Sequence, residues 1–152
     1  DGTRAGSGYS FVHLQRSAST NTVTGDGTEY TMTWNNVIID KLSDFSSPNF
    51  TARKTGYHQV SCSVLVHTLK DANTQVNAEI TASGRQYLVF AYTADIRDDD
   101  AIQVHFCTNI FMTAGNTASV FIKVQGETSG TTSVGVDGGA KYARMSYEYL
   151  GA

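Results

Sequence analysis

Little in this chain can be crosslinked, stiffened or charged. Two cysteines in 152 residues, Cys62 and Cys107, exclude a disulfide-stapled scaffold. Neither has a partner at metal-ligand spacing, which argues against structural zinc. Both lie in apolar alternating segments and read as buried free thiols, with one bridge between neighbouring strands as the alternative. A single proline, Pro48, against 14 glycines leaves Gly and Asn to make the turns. Charged residues are 16% of the chain, below the ~25% of ordinary soluble domains, so the polar surface is Ser, Thr, Asn, Gln and Gly. Net charge is -3 and no basic stretch occurs, so nucleic acid is not an expected partner. No run approaches the ~20 apolar residues of a membrane helix, and membrane insertion is not expected. No segment carries the helical stripe of an amphipathic helix.

What remains is alternation. Hydrophobic residues at 40% suffice for one core, and the length fits one domain. Residues 1–8, Asp1 to Gly8, read as a linker-like tail and 9–152 as the domain. Strands are predicted over Tyr9–Arg16, Tyr30–Asp40, Phe50–Ala52, Tyr57–Val66, Val76–Ala82, Gln86–Thr93, Ala101–Thr113, Ala118–Gln125 and Tyr142–Leu150. Ser17–Gly27, Lys41–Asn49 and Gly126–Thr132 read as loops, and Ser83-Gly84 as a hairpin turn. In the most regular segment His58, Val60, Cys62, Val64 and Val66 share one face, and Tyr57, Gln59, Ser61 and Ser63 the other. The expected fold is all-β, a jelly-roll sandwich of about ten antiparallel strands, a shape that protects its sheet edges. Its inner face should include Trp34, Val60, Val64, Val104, Phe106, Ile122 and Val124.

Few residues suggest chemistry. No Gly-x-Ser-x-Gly elbow, phosphate loop or His-Glu-x-x-His motif occurs, so no catalytic residue and no cofactor is expected. His13, His58, His67 and His105 all lie in strand segments, with no two at i, i+2 or i, i+4. Zinc or catalytic use would need them to converge in space, and packed or interface histidines are the preferred reading. Asp95, Asp98, Asp99 and Asp100 put four carboxylates within six residues. Asp98, Asp99 and Asp100 are the candidate calcium ligands, because hard cations take several oxygens. The other reading, a solvated acidic turn, is preferred. Tyrosines at alternating positions read as core or interface packing before sugar stacking.

Three stretches resemble the globular head of complement component 1q, in the tumour-necrosis-factor superfamily of jelly rolls. Phe50-Thr51-Ala52-Arg53-Lys54-Thr55-Gly56-Tyr57 is similar to the family's run from Phe to Gly and an aromatic. Met112-Thr113-Ala114-Gly115-Asn116 resembles its Leu-x-x-Gly-Asp turn, with Asn116 in place of Asp. Ala143 to Leu150 resembles its closing strand, with Met145 and Tyr147 where Phe and Gly are usual. The early segment Trp34 to Asp40 and the aromatics Phe45 and Phe50 extend the likeness, which covers Tyr30 to Leu150.

The resemblance implies a homotrimer with its threefold axis along the central and closing strands, and Tyr57, His58, Tyr147 and Tyr149 at the interface. It also lends some weight to calcium. Heads of this type also occur on bacterial spores and at phage or viral spike tips, and the charge-poor composition points that way. The expected role is a non-catalytic trimeric head at the tip of a fibre or spike, recognising a cell-surface receptor, glycan or protein, outside the cell or on a virion. The alternatives are a trimerisation cap with no ligand and, last, a carbohydrate-active β-sandwich enzyme.

Overall fold

A strand whose apolar side chains recur every second residue can bury one face only, and two such sheets must close on each other. The computed structural model, which describes residues 10–128, 134–139 and 141–152, shows this arrangement. The expected tail, 1–8, lies outside the described residues. Among these are thirteen strands and no helix. In chain order they are β1 (Phe11–Gln15), β2 (Thr20–Val23), β3 (Glu29–Thr31), β4 (Asn36–Asp40), β5 (Phe45–Ser46), β6 (Asn49–Thr51), β7 (Gly56–Leu69), β8 (Gln75–Ala82), β9 (Arg85–Tyr92), β10 (Asp100–Met112), β11 (Thr117–Gln125), β12 (Val134–Val136) and β13 (Ala143–Gly151).

The larger sheet is organised by β7, 14 residues long. One of its edges pairs with β10 from Gly56 to Leu69. The other pairs with β13 over Tyr57–Val64 and then with β12 at Val66 and His67. Beyond β13 the sheet continues through β1 to the edge strand β4, and beyond β12 to β2. The smaller sheet runs β5-β6-β11-β8-β9, with β3 beside β6 on the same edge of β11. Every pairing is antiparallel. This is the expected two-sheet jelly roll.

The core lies between the sheets. All seven residues expected on the inner face are buried, from Val60 and Val64 at 0% to Phe106 at 6% exposure. Burying three valines and Cys62 along β7 is worth roughly 6–12 kcal/mol against exposing them. That is the scale of a whole domain's net stability, ~5–15 kcal/mol. A one-residue slip of β7 would turn all four outward, so the register is fixed. Gly56 opens β7 where a Cβ would strike the backbone of Gly151 on β13. The glycine of the Phe-to-Gly motif is therefore required by close strand approach.

Three differences from expectation have physical causes. Tyr30–Asp40 is not one strand: β3 belongs to the smaller sheet and β4 to the larger, and the chain crosses between them over residues 32–35. Met32 and Trp34 are buried on the way, which preserved the alternating pattern. The polar loop Ser17–Gly27 contains β2, whose Thr20 to Thr22 carry no apolar signal. Cys107 is exposed, not buried. It pairs with Ser61 while Cys62 pairs with Phe106, so the two thiols lie on opposite faces and both stay free.

Candidate functional site

The outward side chains of β10, β7, β13 and β1 form a broad face that no other described element covers, and the ladder fixes their neighbours. One row runs Cys107, Ser61, Ser146, His13. The next runs His105, Ser63, Arg144, Gln15. A cleft of about 250 Å³ opens over these rows, lined chiefly by His13, Ser61, Ser63, His105, Arg144 and Ser146. Ser146 Oγ donates to Ser61 Oγ at 3.5 Å, and Gln103 Nε2 donates to Ser63 Oγ at 2.9 Å. The other end of the face is aromatic. Tyr57 and Phe111, directly paired across β7 and β10, meet edge to face with ring centroids 5.4 Å apart. Both are about half exposed, as is Leu150.

The four residues expected at an interface do not share this face. Tyr57 lies on it, 52% exposed. His58 and Tyr147, expected at the trimer interface, are fully buried inside the protomer. The cause is phase: His58 alternates with Tyr57 and so faces inward with Val60, and Tyr147 pairs with Val60 on the same side. Tyr149 also turns inward, at the rim, its ring 5.2 Å from that of His58 and under Lys54 Nζ at 5.7 Å. Its hydroxyl donates to the Thr55 carbonyl at 3.4 Å.

Burial sets the electrostatics of this inner group. It lowers the His58 pKa below 6.5, against weaker opposing effects from the Lys54 carbonyl and the Asp44 charge. The imidazole Nε2 donates to that carbonyl at 3.2 Å, while Nδ1 has no partner. Burial also pushes the Tyr147 phenol well above its ordinary value, and its hydroxyl is unpartnered.

The acidic turn does not assemble a cation site. Asp98 accepts from the Asp71 amide at 3.1 Å and Asp100 from the Arg97 amide at 2.8 Å. Asp95 faces Arg97 at 3.7 Å. Asp99 sits at φ 62° between them. Among the described residues no group of three or more His, Cys, Asp or Glu side chains is placed to hold a metal ion, and the candidate calcium ligands Asp98, Asp99 and Asp100 do not form one. Asp100 orders its own loop backbone, and Asp98 ties that loop to the turn at Asp71.

The histidines divide three ways. His58 is core. His67 Nε2 lies 3.3 Å from Asp137 Oδ1, joining β7 to the segment after β12. His13 and His105, 92 positions apart in the chain, line one cleft with Arg144. Their alternation signal was present, since both are out of phase with the buried residues of their strands. Which strands lie side by side was not legible without the topology.

No family model matches the chain, and no curated protein matches it in sequence. Solved structures do match in three dimensions. The fold is that of the tumour-necrosis-factor and complement-1q heads. Murine APRIL superposes with a TM-score of 0.64 at 13% identity, covering 93% of this chain and 99% of that one. The globular domain of zebrafish complement 1qA gives 0.61 at 11% identity, covering 94% and 98%. The Eiger tumour necrosis factor of S. frugiperda gives 0.60 at 11% identity, covering 94% and 93%. Likeness at these identities establishes shared architecture over nearly the whole chain.

Proposed function

We propose that the chain is a non-catalytic homotrimeric head that recognises a cell-surface ligand, glycan or protein, from the tip of a fibre or spike outside the cell or on a virion. The observation that carries the reading is the uncovered outer face of the larger sheet, with Tyr57 and Phe111 packed on each other in the open. Exposed aromatic pairs of this kind mark interaction surfaces. A threefold ring needs two different patches on each protomer, since odd symmetry forbids a self-complementary contact. The chain offers them at opposite edges: Phe111 and Leu88 on the β10 and β9 side, Val37 and Ile38 on the β4 side, each 48–60% exposed. An obligate ring of this sort buries above ~2,000 Å² per interface.

Ligand recognition is tested apart from assembly. A fluorescently labelled trimer is applied to a glycan array and to a panel of intact cells. Saturable binding to a defined glycan or cell type supports recognition. No binding anywhere, with the trimer intact, replaces it by the ligand-free cap. Turnover of a polysaccharide that is lost on changing one of two carboxylates would move the chain to the enzymes.

A further inference from the structure

We infer that the cleft on the outer face of the larger sheet is an oxyanion-binding site, taking a sulfate- or phosphate-sized group or the carboxylate of an acidic sugar. Cross-strand register places its donors. Arg144 comes from β13, His105 from β10 and His13 from β1, around the hydroxyls of Ser61 and Ser63 on β7 and Ser146 on β13. Arg144 carries a permanent charge and a planar fork of donors suited to two oxygens at once. Each imidazole adds a donor when neutral and a charge when protonated.

The cations are uncompensated. Among the described residues the guanidinium of Arg144 and the rings of His13 and His105 make no hydrogen bond or ion pair. This contrasts with Arg53, held by Asp44 at 2.8 Å, and Lys123, between Glu29 and Glu79 at 3.4 and 3.6 Å. No carboxylate lines the cleft. On β7 the flanking groups are hydroxyls, with the buried thiol of Cys62 beneath; on β10 the exposed thiol of Cys107 ends the Ser61 row. On β13 the acid in phase with Arg144 and Ser146 is Glu148, one step beyond the cleft beside Gln59. A chain of net charge -3 has thus gathered three basic side chains from three strands and left them without a counter-charge.

The site is complete within one protomer and does not rest on the trimer. If a second copy covers this face, the need for an anion increases, because an unpaired guanidinium would then be buried.

The test follows the histidine side-chain NMR signals during titration with sodium sulfate at fixed ionic strength, balanced with chloride. The expected result is saturable shifts at His13 and His105 but not at His67. Arg144→Gln should weaken binding by about tenfold or more. Arg144 is exposed and unpaired, so the variant keeps the fold; His105→Gln is the second variant and should also weaken binding. A parallel titration with N-acetylneuraminic acid separates the sources. Competition for the same signals assigns the site to an acidic sugar, and sulfate binding without competition assigns it to a free inorganic oxyanion. Small, non-saturating shifts at all exposed histidines, or equal affinity in Arg144→Gln, overturns the inference. The solution mass of the same sample is recorded, so a monomer that binds sulfate counts against the trimer alone.

Discussion

Tyr147 on β13 stacks on Phe50 of β6, ring centroids 4.4 Å apart and 7° from parallel. The contact joins the two sheets at one point of the core, since each ring is fully buried and each comes from a different sheet. His58 closes the group, its ring 5.5 Å from Phe50 in an edge contact. Strand alternation read with the family resemblance placed Tyr147 and His58 among interface candidates. The second sheet supplies what they pack against.

Phe50→Ala should therefore cost about 3–5 kcal/mol, read as a lower urea midpoint. Tyr147→Phe keeps the stack and removes a buried hydroxyl that has no partner. It should be neutral or stabilising by about 1 kcal/mol. A loss of more than about 2 kcal/mol in Tyr147→Phe would show that the hydroxyl has a partner after all.

His58 makes stability depend on pH with a defined sign. Its folded pKa is held below the unfolded value of 6.5 by burial, so the folded state resists taking the proton. Stability from this group is complete above 6.5 and declines as pH falls from there toward the lowered folded value. Urea midpoints measured from pH ~7.5 to ~5 should fall in the natural sequence. In His58→Leu that part of the fall should be absent. A difference between the two proteins that stays constant across the range would contradict the assignment.

The two thiols should separate chemically. Burial pushes the Cys62 thiol far above its ordinary pKa, and Cys107 lies in the open. Native protein treated with a thiol reagent should label Cys107, with Cys62 reacting only after unfolding. Equal labelling rates, or an intrachain disulfide under mild oxidation, would contradict the opposite-face placement.

How much was legible in the sequence follows from which signals are local. The alternation of β7, the Ser83-Gly84 turn with φ 52° and 74°, and the inner-face residues are properties of single segments, and the structure shows each of them. Crossing from β3 to β4 was hidden because Met32 and Trp34 stay in phase while the chain changes sheets. Thr20 to Thr22 lacked the apolar residues that announce a strand. The cleft required knowing that β10, β7, β13 and β1 lie side by side, although His13 belongs near the start of the chain and Arg144 near its end. Asp98, Asp99 and Asp100 looked like a cluster only in one dimension, since Asp98 and Asp100 turn to separate amides in space.

The trimer reading rests on the exposed Tyr57–Phe111 pair, and sedimentation equilibrium tests it most directly. At micromolar concentration the natural chain should sediment with the mass of three 16.4 kDa protomers. Phe111→Asp, which places a charge on that exposed pair without touching the core, should sediment as a folded monomer with unchanged β-sheet circular dichroism. A natural chain that is monomeric at this concentration, or a Phe111→Asp variant that remains fully trimeric, contradicts the account.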